Sequence, residues 1–379
     1  MLANIFFVVS AGLLIYTYLG YPLLLILWGL LRPRPHDRDL DYIPMVSLII
    51  AAWNEEQVIR EKIENSLALD YPQDRLEIVV ACDGCTDETA MIAREYSQVH
   101  VIEYPKRRGK TAVLNETVPR VKGEIVVFSD ANAFLQPGAL EQLAANFVDP
   151  EVGCVDGVKR ITHEGVGTEG LYWLYESLLK KYESRIGSIV GADGGLFAIR
   201  RALYVPPPED TLIDDFVLSI RVVLEGRRAI YEPKAVASEE AAPSLGGEYR
   251  RKVRMAAGAF QTMARMPSLI LNPLRGRIWW QTCSHKVLRW LGPFWLIGAA
   301  VGAVFATGWL RTWGLGLQLV FYLAALLGGI QAVFTRIGWP PLRAVFYFCF
   351  TNCCLLVGFF RWVLGKQKAT WEKAERRRS

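Results

Sequence analysis

Residues 124–136 read EIVVFSDANAFLQ, and this stretch decides the fold of the chain. Residues 125–128 form a continuous apolar run rich in β-branched side chains, which is typical of a strand buried on both faces. The run ends at Ser129, after which Asp130 and Asn132 place a carboxylate and a carboxamide oxygen two residues apart. Two such oxygens can bind Mg²⁺ or Mn²⁺. The alternative is an ordinary strand-to-turn junction in which Asp130 caps a helix.

The same alternation of strands and helices runs through the middle of the chain. Continuous apolar runs predict the strands, and apolar residues at helical spacing predict the helices between them. The strands lie at residues 46–51, 76–81, 99–103 and 125–128, and the helices at residues 55–69, 87–96 and 110–119. This alternation predicts an α/β fold with a mainly parallel, Rossmann-like sheet and right-handed crossovers. In open sheets of this kind, ligands bind at the carboxyl ends of the strands.

Polar side chains follow three of these strands at that edge. Asn54 and Glu56 come after the first strand, and Asp83 follows the second. Asp130 and Asn132 come at the end of the fourth. Each of them alone is explained by helix capping, which Asn and Asp do well. Three polar clusters at one edge of one sheet together predict the wall of a nucleotide site.

A basic run, residues 106–110, reads KRRGK and ends at Lys110, where the third predicted helix begins. Its cations and the N-terminus of the helix both favour binding of a diphosphate. A solvated surface patch is the alternative for this run taken alone. Nucleic-acid binding is not favoured, because the net charge is only +5 over 379 residues and no recognised nucleic-acid-binding motif accompanies the run.

The apolar residues, which make up 52% of the chain, are concentrated at its two ends. Residues 2–31 carry no charged side chain, and about 20 such residues suffice to cross a bilayer. The segment is too long for a signal-peptide core and has no basic start, so residues 1–31 are predicted to form an uncleaved transmembrane anchor. Arg32, Arg34 and Arg38 follow it, which predicts that the middle of the chain lies on the cytoplasmic face of the cell (inner) membrane.

Three further apolar segments predict C-terminal transmembrane helices within residues 291–361. They lie at residues 291–310, 314–334 and 344–360. Four crossings leave the C-terminus outside, whereas the basic tail, residues 366–379, favours the cytoplasm. Either one segment does not fully cross or the first 31 residues fold back, and the sequence leaves both possibilities open.

Residues 265–289 connect the middle of the chain to these segments. They mix Trp, Pro, Arg and apolar residues, including Trp279 and Trp280. This composition favours an amphipathic segment in the headgroup layer of a lipid bilayer, anchored by Trp and Arg, over a plain hinge.

Seven cysteines are scattered along the chain. Outside the apolar segments the only close pair is Cys82 and Cys85, and a single CxxC without a second pair is weak evidence for zinc or redox chemistry. A reduced cytosolic protein with incidental thiols is the better interpretation.

Several motifs occur in an order and spacing that resemble one known family. They are VSLIIAAWNEE (46–56), VVACDGCTDET (79–89), RRGKTAVLNE (107–116), VVFSDANAFLQP (126–137), GADGGLFAIRR (191–201), LIDDFVLSIRVVLEGRRAIYEP (212–233) and EYRRKVRMAAG (248–258). These motifs look like those of family-2 glycosyltransferases, and with the flanking apolar segments the chain resembles the cellulose, hyaluronan and poly-N-acetylglucosamine synthase group.

The resemblance implies an inverting enzyme with a cytosolic GT-A domain at residues 45–260. It implies a nucleotide-sugar donor, expected to be a UDP-sugar, and Mg²⁺ or Mn²⁺ as cofactor. The expected acceptor is a polysaccharide or a polyprenyl-linked acceptor, and export subunits are possible partners. A catalytically silent membrane subunit that keeps nucleotide-sugar binding is the alternative function.

On the donor side, roles carry over by position. Asn54, Glu56 and Asp83 match the residues that hold the uridine, and Lys110 matches the cation near the base and the diphosphate. Asp130 and Asn132 match the two metal-binding acids of the family. Because the second acid is replaced by an amide, which is a poorer ligand for a hard cation, we expect weaker metal binding or a larger share for Asp130.

On the acceptor side, Asp215 matches the general base, and Asp214 is expected to orient or polarise it. Arg251 and Arg254 fall where processive synthases carry QxxRW, and both are assigned to the nucleotide, with Arg254 on the diphosphate.

Asp193 and Gly194 are expected to line the acceptor. Met255 replaces the Trp on which the acceptor sugar stacks in processive relatives, which leaves chain extension and single transfer both open. Trp173 is a possible substitute for that ring.

Overall fold

The strands of the middle domain form one mixed sheet in the computed structural model, which describes residues 1–162, 169–240, 244–334 and 339–370. Within this part of the chain the sheet has eight strands in the order β3-β2-β1-β4-β7-β6-β8-β5. They are β1 (Val46–Ala52), β2 (Leu76–Asp83), β3 (Val99–Tyr104), β4 (Ile125–Asp130), β5 (Phe134–Leu135), β6 (Val152–Thr162), β7 (Leu196–Arg200) and β8 (Arg228–Glu240).

The strands β3, β2, β1 and β4 pair in parallel, as the sequence predicts. All seven residues of β1 are buried, which is the reason its sequence is apolar without alternation. In register, Val46 lies opposite Leu76 of β2 and Ile125 of β4. The carboxyl ends of these strands therefore meet at one edge. Beyond β4 the sheet becomes mixed, because β7 runs antiparallel to both β4 and β6.

The helices cover both faces of the sheet and continue into the apolar ends of the chain. In chain order they are α1 (Leu2–Leu31), α2 (Ile59–Leu67), α3 (Thr89–Arg94), α4 (Lys110–Thr117), α5 (Ala139–Ala144), α6 (Glu169–Ile186), α7 (Asp214–Leu224), α8 (Leu245–Arg265), α9 (Ser268–Leu271), α10 (Arg277–Trp290), α11 (Gly292–Phe305), α12 (Trp309–Phe334) and α13 (Pro340–Val363).

Among the described residues, α1, α12 and α13 are long and apolar enough to cross a membrane. The predicted span at 291–310 differs, because α11 has only 14 residues and meets α10 at a bend of 63°. A helix of that length covers about 21 Å, less than the roughly 30 Å of a hydrocarbon core. The bend falls at Leu291, and Pro293 at the start of α11 lacks the N–H that would continue α10. The basic tail beyond residue 370 lies outside the described residues.

Helix α13 packs directly on α8, and small residues make this contact possible. A Cβ added at Gly358 would lie 2.4 Å from Ala256 Cβ and 2.9 Å from the backbone nitrogen of Ala257. Any larger residue would separate the two helices. A helix that can cross the membrane is thus fixed against the helix that carries Arg251 and Arg254.

The segment 265–289 combines exposed apolar side chains with inward-facing cations. Leu271 and Leu274 are exposed, at 76% and 93% of their full area, as a segment in the headgroup layer requires. Arg289, in contrast, is buried and pairs with Glu176 of α6 rather than facing outward as a membrane anchor.

Candidate active site

Asp130 is the last residue of β4, and the loop that follows it is held from beneath by a buried lysine. Lys62 of α2 is fully buried, and its ammonium donates hydrogen bonds to Ser129 Oγ, at 2.8 Å, and to the carbonyl of Ala133. Burial lowers the pKa of Lys62 to about 7, against the attraction of Asp130. These two bonds bracket the loop and fix the position of Asp130. The sequence does not predict that Lys62 is buried, because a single lysine within an amphipathic helix gives no sign of burial.

Lys110 bridges the acid of this loop and the acids of α7. Its ammonium lies 2.6 Å from Asp130 Oδ1 and 3.9 Å from Asp214 Oδ2. Burial acts against the charge of Lys110, but the nearby carboxylates outweigh it and raise its pKa. Burial likewise acts against the charge of Asp130, and Lys110 with other cations lowers its pKa. Both groups are therefore charged at neutral pH.

Asn132 is oriented by its neighbours. Its side-chain nitrogen donates to Glu239 Oε1 at 3.1 Å, and Glu239 in turn pairs with Lys159. With the nitrogen bound in this way, the amide oxygen is the group of Asn132 that remains to bind a cation.

The oxygens of Asp130 and Asn132 suit Mg²⁺ or Mn²⁺. The described residues contain no cluster of three or more His, Cys, Asp or Glu side chains with metal-binding geometry. Two protein oxygens are nevertheless a fitting set, because Mg²⁺ is usually held by one or two protein ligands with the rest supplied by phosphates and water. Asp130 is 37% exposed, so a ligand can reach it. The two residues thus fit the metal only together with a diphosphate.

Asp83 lies beneath the basic run rather than in contact with solvent. It is fully buried, and its two oxygens accept hydrogen bonds from the backbone nitrogens of Arg108, at 2.7 Å, and Gly109, at 2.8 Å. Gly84 has a φ of +59°, and a Cβ there would lie 2.4 Å from the nitrogen of Arg107, so only glycine permits this close approach. Asp83 therefore fixes the basic run against the end of β2.

Asn54 and Glu56 join the loops after β1 and β2. Asn54 Nδ2 donates to Thr86 Oγ1 at 3.0 Å, and its Oδ1 accepts from the Thr86 nitrogen at 2.8 Å. Glu56 Oε2 accepts from the nitrogen of Glu88 at 3.3 Å. Asn54 has a φ of +55°, which is uncommon outside glycine and is best tolerated by Asn and Asp. These loops form the outer wall of the predicted nucleotide site.

Asp214 and Asp215 occupy the first turn of α7. Asp215 Oδ1 accepts a hydrogen bond from the nitrogen of Phe216 at 2.8 Å, and Oδ2 would lie 3.1 Å from a Cβ added at Gly194. Burial and the neighbouring Asp214 raise the pKa of Asp215 to about 7, against the pull of Lys110. A carboxylate with this pKa can both accept and release a proton at neutral pH.

Arg254 faces the same acids, whereas Arg251 does not. Burial lowers the pKa of Arg254, and Asp214, Asp215 and Asp130 act in the opposite direction. Its Nε is buried and has no hydrogen-bond partner in the described part of the chain. Arg251 lies nearer the start of α8 than Arg254, and its Nε donates to Glu248 at 2.9 Å. Arg254 is thus placed for an incoming anion among the acids, and Arg251 lies in the wall of an adjacent cavity.

That cavity, of about 370 Å³, starts at Asp215 and extends between the membrane helices. Met255 and Trp173 both line the cavity. Trp173 therefore supplies an aromatic ring there, although residue 255 is a methionine. Asp193 lines it too, and its carboxylate pairs with the buried Lys180. Asp193, Met255 and Trp173 therefore line the same space as the predicted base. Gly194 lies beside Asp215.

The comparisons with known proteins identify the class of protein. The family described as "Glycosyltransferase like family 2" matches residues 44–258, more than half of the chain. The chain belongs to this family.

Curated relatives cover the same part. The chain is 26% identical over 246 residues to a poly-β-1,6-N-acetyl-D-glucosamine synthase of Staphylococcus aureus, which is 62% of this chain and 59% of the relative. It is 28% identical over 279 residues to a β-monoglucosyldiacylglycerol synthase of a Nostoc species, covering 69% and 59% of the two chains. The matched region thus spans less than two thirds of either relative.

A solved structure matches almost the whole chain. It is a mannosyltransferase from Pyrobaculum calidifontis in complex with GDP-Man and Mn²⁺, with 26% sequence identity and a TM-score of 0.76. The match covers 95% of this chain and 99% of the mannosyltransferase. The predicted GT-A fold is confirmed, and so is the resemblance on which it rested.

Proposed function

We propose that the chain is a membrane-bound inverting glycosyltransferase, with the nucleotide sugar at the strand edge and the acceptor in the adjacent cavity. The observation that carries this proposal is the position of Asp215. It lines the cavity, and Lys110 connects its neighbour Asp214 to Asp130 of the predicted metal site. A base between a donor site and an acceptor space is what an in-line displacement requires.

In the proposed reaction an acceptor oxygen forms a bond to the anomeric carbon of the sugar. The bond from that carbon to the diphosphate breaks on the opposite side, and its electron pair stays with the leaving oxygen. The acceptor proton passes to Asp215. Lys110 and the guanidinium of Arg254 neutralise the new negative charge on the diphosphate. Burial and the neighbouring Asp214 keep the pKa of Asp215 high enough for it to act as a base near neutral pH.

Asp130 and Asn132 would hold Mg²⁺ or Mn²⁺ with the diphosphate. When bound, the metal would neutralise part of the charge that develops on the leaving group. The mannosyltransferase complex with Mn²⁺ supports a divalent cation. Lys62 keeps the loop that carries both ligands in place through Ser129.

Uridine and guanine nucleotides are both candidates for the donor. The sequence resemblance favours a UDP-sugar. The solved mannosyltransferase carries GDP-Man. Purified full-length protein should therefore be titrated with UDP- and GDP-sugars in the presence of Mn²⁺. Tighter binding of UDP-sugars is expected, and a preference for GDP-Man would overturn that assignment while leaving the enzyme class unchanged.

We infer that the acceptor is reached at the cytoplasmic face of the inner membrane. Arg32 and Arg34, directly after α1, support this orientation. If α12 and α13 cross and the bent pair α10–α11 does not, the chain returns to the cytoplasm, where its basic tail is favoured. The relatives named for polysaccharide and glycolipid synthesis support a membrane-associated acceptor. Tagging the C-terminus and testing its accessibility in intact cells checks this topology.

The decisive test of the function is transfer from a labelled nucleotide sugar by the purified protein in lipid vesicles. We expect metal-dependent transfer or slow donor hydrolysis that disappears on chelation with EDTA. Donor binding without any turnover across a panel of nucleotide sugars would instead support a silent subunit. The convergence of Lys110, Asp130 and Asp215 argues against a silent subunit, because perturbed ionisable groups cluster at working sites.

A further inference from the structure

The cavity beside Asp215 follows one face of α13, a helix that can cross the membrane. The lining positions repeat at intervals of three and four residues, which is one stripe of a helix. They are Ala344, Tyr347, Phe348, Thr351, Asn352, Cys354 and Leu355. The stripe covers eleven residue steps, or about 16 Å at 1.5 Å per residue. The space that receives the acceptor therefore continues along a helix whose outer surface is suited to lipid.

The wall of this cavity combines apolar side chains with an excess of cations. Trp290, Phe348 and Leu355 are typical of its apolar part. Two carboxylates, Glu248 and Glu176, each hold two of the four cations that line it. The cations are Arg251 and Lys252 on Glu248, and Lys286 and Arg289 on Glu176. These two clusters carry more positive than negative charge, which is complementary to an anionic ligand.

A polar atom in the stripe also points to a ligand. Thr351 lines the cavity, and its Oγ1 is buried without a hydrogen-bond partner in the part of the chain that the structure describes. A buried hydroxyl without a partner is costly, so a ligand that bonds to it gains binding energy. A purely hydrocarbon occupant would leave it unsatisfied.

We propose that the acceptor is a membrane lipid whose head group carries both a hydroxyl and a phosphate. The hydroxyl lies at Asp215, the phosphate lies against the cationic clusters, and the hydrocarbon chain lies along the stripe of α13. The proposal rests on the proposed function, because it names the acceptor of the same reaction. The lipid hydroxyl forms the new bond to the anomeric carbon, its proton goes to Asp215, and the nucleoside diphosphate leaves with the electron pair.

The first experiment identifies the chemical class of the product. Full-length protein is reconstituted in vesicles made from lipids of cells that carry it naturally, and it receives labelled nucleotide sugar with Mn²⁺. We expect the label in the organic phase after extraction, in the fraction that binds an anion-exchange column. Label in a water-soluble polymer, or only in neutral lipid, would overturn the proposal. Both of those results would leave the proposed transferase function intact.

The second experiment blocks the cavity without touching the donor edge, which is the edge of the sheet where Asn54, Asp83 and Asp130 lie. Thr351→Trp fills the stripe of α13, and Cys353→Trp places the same ring on an exposed position of the same helix. We expect Thr351→Trp to lose at least tenfold in transfer to lipid while donor binding and donor hydrolysis stay unchanged. Cys353→Trp should behave as wild type. Equal transfer by both variants would contradict a lipid in the cavity. A wild-type protein that does not bind the donor would contradict the proposed function itself.

A charge variant covers the case in which Thr351→Trp does not fold. Lys286→Gln removes one cation of the Glu176 cluster and leaves Arg289 on that carboxylate. We expect the KM for the lipid fraction to rise several-fold with an unchanged donor affinity. An unchanged KM for an anionic acceptor would show that the cluster does not bind the head group.

Discussion

The proposed donor edge and the proposed acceptor cavity meet at Asp215. The residues of the two regions are brought together in different ways. The residues of the donor edge follow strands that are neighbours in sequence, from Asn54 to Asn132, and the parallel register brings them together. The cavity is lined by residues from Tyr18 of α1 to Leu355 of α13, and only helix packing brings these together. A site that depends on strand order can be located from local patterns, whereas a site between packed helices cannot.

The largest expected effect is at the junction of the two regions. Asp215→Asn removes the proton acceptor but keeps the shape of the side chain, so transfer should fall by about 10³-fold, within the range of general-base catalysis. Donor binding should change little, because Lys110 contacts Asp130 rather than Asp215. Steady-state transfer and donor titration measure the two quantities.

Asp210→Asn is the matched control for this substitution. Asp210 is an exposed acid that pairs with Arg265 at 2.6 Å, away from the cavity. It should keep wild-type transfer. If Asp215→Asn also kept full transfer, the base would have to be another group and the cavity would lose its connection to the chemistry.

The second prediction concerns pH. The raised pKa of about 7 for Asp215 means that the free enzyme holds its base protonated below that pH. We therefore expect kcat/KM to fall about tenfold per pH unit below pH 7 and to level off above it. This value belongs to the pair that Asp215 forms with Asp214, so the profile reports both carboxyls together. A profile flat from pH 5 to 8 would contradict this environment.

The same shift predicts a change in stability. A carboxyl whose pKa is raised on folding stabilises the folded state below its unfolded pKa, and this contribution is lost as the pH rises through the folded value. For Asp215 the loss falls between the ordinary value of 3.8 and about 7. Asp215→Asn should therefore melt at a higher temperature than the wild type at pH 8, and the difference should shrink toward pH 4. Thermal melts at several pH values check this.

The donor edge shows how much the sequence reveals. Asp130, Asn132, Lys110 and Asp215 were all identified from strand ends and family motifs, and the structure brings Lys110, Asp130 and the Asp214–Asp215 pair together. Lys62 was missed, because burial of a single lysine within an amphipathic helix leaves no mark on the pattern of α2. Local periodicity predicts which face of a helix is apolar, but not what lies behind it.

On the acceptor side, the sequence predicts less of the structure. Arg251 was assigned to the nucleotide from its place in a motif, yet the structure pairs it with Glu248 in the cavity wall. The mixed half of the sheet was also not predicted, because β7 pairs antiparallel with β4 and β6, and an alternation of strands and helices indicates only parallel pairing. The apolar segment at 291–310 was read as a span from composition alone, which does not show the bend before α11.

A smaller effect is expected at Asn132, the predicted metal ligand that departs from the pattern of the family. Asn132→Asp restores a second carboxylate, which should strengthen metal binding. It also removes the amide that donates to Glu239 and places two negative charges near each other. In EDTA the variant should thus melt at a lower temperature than the wild type. Its melting temperature should rise more than that of the wild type when Mn²⁺ is added. Melting temperatures with and without Mn²⁺ measure both changes, and an equal response of both proteins would show that residue 132 is not a ligand.

The smallest effect is expected at Met255, where processive relatives have a ring. Met255 is 44% exposed and lines the cavity together with Trp173, which already supplies an aromatic surface there. If the acceptor is a lipid that receives one sugar, Met255→Trp should leave the product size unchanged and alter the rate less than about threefold, in line with the modest effects of exposed substitutions. Trp173→Ala should lower transfer more strongly, because it removes the ring on which the sugar can stack. Product sizing by gel or mass spectrometry separates the outcomes. A ladder of longer products from Met255→Trp would mean that a missing ring is what limits extension, and the cavity would then have to be read as the entrance of a polymer channel.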